Sequence, residues 1–317
     1  MKKTLIASAV AATLSSGAFA MDPATDLAEM LHSMPTFYGN IQLAYLNEED
    51  ADGNTDNSVK DNGSTFGIKH SHAISEGVEG FLQAEFEFDA DENSAGIDQS
   101  DEMYIGVKGD FGSIQIGNDE TVYDWVNVVD ISEVNGINGG GIAEQDETEN
   151  VQYVSPEIAD GLVVGVTIPA ESDSDFAGAL AAKYAADNIE VIFAYGMGRT
   201  DSGGANADEA EDTVGLAGVY TMDDLTLQLQ YETQTDTQDF VGLQGIYSMG
   251  QNTFALGYGM TSFDPSGAED QTSIYLQAKH NVSDNMYVYL EFDTTTDEGG
   301  FDGADTDTLA LGAAYAF

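Results

Sequence analysis

Alternation of apolar and polar residues at every second position is the feature that most limits how this chain can fold. In 225–232 every odd position is apolar and every even position is polar, and the same period recurs in 253–261, 286–292 and 309–317. This period is typical of β-strands with one apolar and one polar face. It continues throughout 37–317, so the sequence predicts one all-β domain over those residues.

The connections between the predicted strands alternate between short and long. Seven are short and rich in Gly, Asp or Asn: 73–77, 109–112, 156–161, 186–188, 222–224, 248–252 and 281–285. Eight are longer and acidic: 47–63, 89–100, 119–148, 170–175, 199–211, 233–238, 262–270 and 294–305. These connections join sixteen strands, which is typical of a transmembrane antiparallel β-barrel with short periplasmic turns and long extracellular loops. A soluble β-sandwich is the alternative, but it does not account for the short–long rhythm.

The N-terminus has the features of a secretory signal peptide over 1–20. Lys2 and Lys3 precede an apolar stretch that ends in a small-x-small cleavage pattern at 18–20. Beyond it, no apolar run reaches the roughly 18 residues that a spanning helix needs. Residues 21–36 are expected to form either a short amphipathic helix or a frayed tail. The sequence thus predicts an exported protein.

Composition excludes several classes of protein. The chain has 8 Lys or Arg against 57 Asp or Glu, for a net charge of −49, so it cannot build the basic face of a nucleic-acid binder. It has no Cys, which excludes disulfides and thiolate metal sites. It also lacks a Gly-x-Ser-x-Gly elbow and a helical His-Glu-x-x-His motif, so we expect no enzyme and no cofactor. The acidic long loops are expected of a protein from a salt-rich habitat, where ionic strength screens repulsion.

Five motifs in a fixed order carry a resemblance to a known family. They are FYGNI at 37–41, STFGIKHS at 64–71, FGSIQIGN at 111–118, ENVQYVSPEIADGL at 149–162 and the closing YAF at 315–317. Together they resemble the sixteen-stranded, trimeric general porins of Gram-negative bacteria, over nearly the whole mature chain. The resemblance implies a water-filled channel for passive diffusion in the outer membrane, with the third loop, 119–148, folded into the lumen.

The resemblance also implies a pore constriction, in which acidic side chains of the third loop face arginines on the barrel wall. The acidic candidates are Asp130 and Glu133 on the loop, with Asp124 near its start and Glu85 on the wall. Positions where the family has Arg or Lys carry neutral residues here. The complete expected set is Asp130, Glu133, Glu85, Asp124, Thr65, Asn118, Gln42 and Gln83.

No Lys or Arg occurs between Gly109 and Ala182, so the basic side of the constriction is expected to be lost. A constriction with acidic groups only becomes a cation-attracting ring, and low-dielectric walls focus its potential. We therefore expect the channel to prefer cations.

Two other functions remain open at this level. A substrate-specific porin would use inward aromatic residues, for which Phe81, Tyr275, Tyr287 and Tyr289 are the candidates. A structural or adhesive surface barrel would instead be plugged, with 21–36 as the candidate plug.

The partners implied by the resemblance are two further copies of the chain in a homotrimer, outer-membrane lipid and lipopolysaccharide, and the barrel-assembly machinery. Divalent cations could bridge the acidic loops to lipopolysaccharide phosphates. The assembly machinery would read the closing aromatic residues, Tyr315 and Phe317.

Two patterns suggest metal ligands more weakly. Asp50, Asp52, Asn54 and Asp56 alternate like the start of a calcium loop, but Asp61 stands where an EF-hand has its bidentate Glu. A solvated acidic loop is the alternative. His70 and His72 share one face of a strand, where they are expected either to bind a metal or, more simply, to lie near lipid headgroups.

Overall fold

The structure is a computed structural model that describes residues 34–50, 52–92, 96–134, 142, 149–170, 178–200, 210–264, 270–297 and 305–317. The chain divides into two compact units, Met1–Pro35 and Thr36–Phe317. The expected signal peptide and the proposed helix or plug lie outside the described residues, apart from the last residues of 21–36.

The second unit is a single antiparallel sheet. Its segments are β1 (Thr36–Glu49), β2 (Thr55–Asp61), β3 (Thr65–Ser75), β4 (Val78–Phe88), β5 (Ile97–Gly109), β6 (Gly112–Asn118), β7 (Asn150–Val154), β8 (Leu162–Pro169), β9 (Gly178–Ala186), β10 (Ile189–Thr200), β11 (Ala210–Met222), β12 (Leu225–Gln234), β13 (Gln238–Met249), β14 (Asn252–Phe263), β15 (Gln271–Ser283), β16 (Met286–Asp297) and β17 (Thr306–Ala316). Because β1 pairs with β17, the sheet closes into a barrel.

The seventeen segments make sixteen barrel strands. Both β2 and β3 pair with β1, β2 with its second half and β3 with its first. They are one strand interrupted at 62–64, where Asp61 Oδ2 accepts the backbone N–H groups of Gly63 and Ser64 at 3.1 and 3.0 Å. The prediction of a sixteen-stranded barrel is confirmed.

All seven short connections lie at one end of the barrel, as the sequence predicts. Two connections at the other end are shorter than expected. Residues 47–63 hold a hairpin between β1 and β2, because the Asp50 carboxylate accepts the N–H groups of Asp52 and Asn54 at 3.0 and 2.8 Å and closes a tight turn. Residues 233–238 hold a turn of only three residues, 235–237, because Gln234 pairs with Gln238.

The two faces of each strand meet different surroundings. On β12, Leu227, Leu229 and Tyr231 point outward and remain 46, 49 and 41% exposed, whereas Gln230 and Glu232 point inward and are buried. An apolar outer surface with polar residues inside is the arrangement of a barrel in a hydrocarbon layer. No helix in the described residues is long and apolar enough to cross a membrane.

The third loop starts with a 3₁₀-helix, Val122–Val126, inside the barrel. Val122, Tyr123 and Val126 are fully buried there, against small inward residues that include Ala181 and Ala194. Two inward glycines make room for the loop: a Cβ at Gly215 would come within 2.9 Å of Val126, and one at Gly242 within 2.5 Å of Val129.

Candidate functional site

The third loop is fastened to the inner wall of β12 by two buried side chains. Glu232 accepts the Tyr123 hydroxyl at 2.8 Å and the backbone N–H of Ile142 at 3.2 Å. Gln230 Oε1 accepts the N–H groups of Val128 and Val129 at 3.0 and 3.2 Å. These bonds supply partners for loop backbone groups that have no sheet neighbour, as buried amides require.

A second group of anchors lies farther around the barrel, on β15 and β16. Glu291, which is 1% exposed, accepts the N–H groups of Glu133 and Val134 at 3.0 and 3.3 Å and the hydroxyl of Ser132. Gln277 donates to the Ile131 carbonyl at 2.8 Å. Sequence reasoning missed these anchors. Their inward phase is visible in the alternation, but nothing in the sequence pairs them with particular loop residues.

Glu133 is held on the wall by several partners at once. Its carboxylate accepts from Gln42 at 2.9 Å and Tyr287 at 2.8 Å, and it forms an ion pair with Lys279 at 3.0 Å. Asn62 donates to the Glu133 backbone carbonyl. The expectation that the basic side is wholly lost is therefore wrong at Lys279, which reaches the loop from β15.

Asp130 behaves differently from Glu133. Its side chain is exposed to the lumen, although the enclosing protein limits its access to bulk water. This desolvation raises the pKa of Asp130, and the nearby charges of Glu291 and Glu120 raise it further. Asp119, where the third loop leaves β6, also has a raised pKa, chiefly from desolvation. Among the expected constriction carboxylates, Asp130 is thus the one whose side chain is exposed to ions in the lumen.

The acidic wall candidate, Glu85, lies on β4, and further carboxylates lie beside it on β4 and β5. Glu85, Glu87 and Glu102 are partly exposed on the inward side, and Gln83 donates to Glu102. The contacts described above for the described part of the third loop involve β1, the break between β2 and β3, β9–β13, β15 and β16. None of these contacts is with β4 or β5, whose inward carboxylates line the wall.

The three remaining expected site residues have structural partners. Asp124 caps the 3₁₀-helix by accepting the N–H and hydroxyl of Thr121 at 2.9 and 2.8 Å. The Thr65 hydroxyl donates to the Asn40 side chain at 2.9 Å, on the inner wall.

Asn118 lies on the outward side of the register, opposite Met103 and in phase with the exposed Ile116. Its side chain accepts the Glu149 N–H at 3.1 Å, which joins the two ends of the third loop. This geometry does not support a place for Asn118 in the constriction.

The four inward aromatic candidates are not equally accessible. Tyr275 and Tyr289 are 0 and 1% exposed because the third loop covers them, so a passing solute cannot reach them. Phe81 and Tyr287 are partly exposed. Only these two could contact solutes.

The metal-ligand candidates do not converge. The Asp50 carboxylate is engaged in the β1–β2 turn, and its hydrogen bonds from Asn54 lower its pKa. The rings of His70 and His72 stack at 5.6 Å on the outward side. Across the described part of the chain, no three His, Asp or Glu residues form a group that could hold a metal ion.

The closing residues complete the barrel. Phe317 exchanges backbone hydrogen bonds with Gly39, at 2.9 and 3.2 Å, and its side chain is 61% exposed. Tyr315 points outward from β17 and is 54% exposed.

Comparisons with known proteins agree with this architecture. A family model described as "Gram-negative porin" matches residues 7–300. Two relatives are a "Monosaccharide porin" from a Halomonas species and a "Major outer membrane protein" from Halomonas elongata. Each is 30% identical to this chain over an alignment 382 residues long, which covers all of both chains.

Solved structures with low sequence identity share the fold. The anion-selective porin from Comamonas acidovorans has a TM-score of 0.74 at 14% identity, over 90% of this chain and 99% of its own. Salmonella typhi OmpF, in complex with daunomycin, has a TM-score of 0.73 at 16% identity, over 89 and 97%. The trimer form of Vibrio cholerae OmpT has a TM-score of 0.65 at 18% identity, over 90 and 99%.

Proposed function

Since this chain belongs to the Gram-negative porin family, we propose that it is a cation-preferring channel for the passive diffusion of small hydrophilic solutes. It is an outer-membrane protein and acts as a channel without catalysis. The fold does not decide which ions pass, because a solved structure of the same fold is anion-selective. Ion preference must come from the side chains that line the lumen.

The observation that carries the proposal is the exposed carboxylate of Asp130 inside the barrel. Lys279 neutralises Glu133, whereas no described ion pair neutralises Asp130. Across the passage, Glu85 is a partly exposed carboxylate on the wall. Fixed charge of one sign in a narrow, low-dielectric channel raises the local concentration of the opposite ion.

Reversal potentials in planar bilayers under a KCl gradient test this proposal. The unmodified channel is expected to favour K⁺, and Asp130→Asn is expected to lower the K⁺/Cl⁻ permeability ratio roughly two- to fivefold, since one charge contributes on the order of 1 kcal/mol at close range in water. Asp264→Asn, an exposed carboxylate after β14, is the matched control and should change the ratio little. An open channel without cation preference would rule out the proposal.

A second candidate, a porin for small sugars, is favoured by the relative named "Monosaccharide porin". Phe81 is partly exposed and Lys108 lies over its ring, 5.7 Å from the centroid. A ring face beside polar groups suits a sugar, which has both apolar C–H and hydroxyl surfaces. Saturable current block by a monosaccharide, lost in Phe81→Ala, would support this candidate. Equal influx of all solutes of similar size would support simple diffusion.

The trimer, the bridging of lipopolysaccharide by divalent cations and recognition by the assembly machinery are also proposals. A solved neighbour is described as a trimer form, which supports the trimer. Mass measurement of the detergent-extracted protein, with and without a chelator, tests the first two. Deletion of 22–34 tests the plugged-barrel alternative, because a plug would make the deletion increase conductance.

A further inference from the structure

The lysines of the described barrel all point inward, and four of them lie near the short-turn end. The pairing register places Lys69 opposite Thr36, Lys108 opposite Glu79, Lys183 opposite Ile192 and Lys279 opposite Tyr289. Each of these partners is within the first four residues of its strand, counted from the short-turn end. The fifth, Lys60, lies opposite Ala44 in the other half and pairs with Glu48 at 2.9 Å.

Each of the four lysines is held against the wall by an aromatic ring. The Nζ atoms lie 4.7, 5.7, 5.2 and 5.0 Å from the ring centroids of their partners. The pairs are Lys69 with Tyr38, Lys108 with Phe81, Lys183 with Trp125 and Lys279 with Tyr287. A ring face attracts the ammonium group without cancelling its charge. Lys69 and Lys183 form no ion pair within the described residues.

Inward carboxylates are concentrated in the opposite half. Glu85, Glu87 and Glu102 lie toward the long-loop end, as do Glu232 and Asp293. In the short-turn half, the described strands carry three inward carboxylates: Glu79 and Glu190 near the strand ends, and Glu291, the sixth of the twelve residues of β16. Glu79 lies 3.4 Å from Lys108, and Glu291 is buried against the third loop, where it accepts hydrogen bonds from the loop backbone. Acidic residues in the short turns themselves face bulk water, where salt screens them.

We infer that these lysines are a second set of specificity-determining residues, which weaken cation preference in the periplasmic half and make conduction depend on direction. This inference rests on the proposed cation preference of the extracellular half. The channel then has two regions in series: cations carry most of the current in the outer region and a smaller share in the inner one.

The direction follows from ion balance where the two regions meet. When the extracellular side is positive, cations move inward and carry a larger share of the current in the outer region than in the inner one. They therefore reach the junction between the two regions faster than they leave it. Anions arrive from the periplasmic side and are retarded by the outer carboxylates. Salt therefore accumulates and conductance rises. With the opposite polarity both ions are drawn away, so salt is depleted and conductance falls.

The test is the current–voltage curve of single channels in symmetric KCl. Because the chain has no Cys, an Asp52→Cys background labelled from one side by an impermeant thiol reagent gives the orientation of each channel. At about 0.1 M salt we expect a roughly 1.5- to 2-fold larger current when the extracellular side is positive, and near equality at about 1 M, where the screening length is about 3 Å.

The triple variant K69Q/K108Q/K183Q should abolish the asymmetry and raise the K⁺/Cl⁻ ratio. Lys279 is kept because it holds Glu133. Lys60→Gln is the charge-matched control in the other half and should leave the asymmetry unchanged, and Lys69→Gln alone should reduce it if the triple variant does not fold.

Symmetric currents in a cation-preferring unmodified channel would overturn this inference and leave the proposed function intact. Unchanged asymmetry in a folded triple variant would also overturn it. A channel without cation preference would instead be a failure of the proposed function.

Discussion

At the residue scale, two carboxylates three positions apart on one loop have different roles. Glu133 is a fastening point, bound by a lysine, an amide and a tyrosine. Asp130 points into the lumen and keeps its charge available to ions. The difference comes from which wall strand each side chain meets, so it is a property of tertiary contacts and not of the loop sequence.

As the pH is lowered, cation preference is expected to decrease at a higher pH than it would if the lumen carboxylates had their usual pKa values. The pKa of Asp130 is raised, so protonation on acidification removes its charge above the usual Asp value of about 3.9. The charge is fully present above the raised pKa and is lost as the pH falls through it. Reversal potentials measured between about pH 8 and pH 4 should show this loss. Asp130→Asn should show a smaller change, and an identical pH profile in both channels would contradict the assignment.

The ion pair between Lys279 and Glu133 predicts opposite effects of its two single variants. Lys279→Gln leaves Glu133 unneutralised and should raise the K⁺/Cl⁻ ratio roughly two- to fivefold, whereas Glu133→Gln should lower it by a similar factor. The double variant should be near the original value, because it removes both charges. A double variant whose K⁺/Cl⁻ ratio differs clearly from that of the original channel would mean that the two charges do not neutralise each other in the membrane.

At the element scale, the third loop is positioned by the shape and chemistry of the wall. Small inward residues on β9–β11 receive the 3₁₀-helix, and buried carboxylates on β12 and β16 bind the backbone that follows. Hydrogen bonds to charged acceptors typically contribute about 1.5–3 kcal/mol each, so several of them can hold a loop without regular secondary structure.

Gly242→Val is expected to displace the third loop, because the new side chain would overlap Val129. The change should alter single-channel conductance and the emission of Trp125, the single tryptophan of the chain. Gly218→Val is the control, since a Cβ there meets nothing nearer than 3.9 Å. If both variants keep the original conductance and emission, the loop does not rest on Gly242.

At the scale of the whole molecule, the last residue, Phe317, closes the barrel with its backbone and is the proposed signal for delivery to the membrane with its ring. The Phe317 backbone completes the pairing with β1, while its ring lies exposed on the surface. Closure gives hydrogen-bond partners to the backbone N–H and C=O groups of the two edge strands, which hydrocarbon cannot do, so it is required of any membrane-spanning barrel. Recognition of the ring by an assembly partner is a separate proposal, because closure involves only the Phe317 backbone.

Phe317→Ala separates these two roles. It keeps the backbone bonds to Gly39, so refolding into detergent should stay within about twofold of the original yield, since a surface substitution usually changes stability by less than 0.5 kcal/mol. Insertion into the outer membrane of cells should fall markedly if the ring is the assembly signal. Deletion of Phe317 should impair both processes, and normal insertion of Phe317→Ala would exclude the signal.

Strand number, the short–long rhythm and the inward phase of most polar residues were determined by the sequence alone, because alternation is a local property of the chain. Asn118 is an exception, since it lies on the outward side of β6. The length of the first loop was not, since the Asp50 turn and the pairing of β2 with β1 depend on contacts beyond the local pattern. Only the tertiary structure brought Lys279 to Glu133, covered Tyr275 and Tyr289, and left Asp130 exposed. The folded third loop places Glu133 against Lys279 on the barrel wall, 146 positions away in the sequence, and no periodicity within a strand encodes that contact.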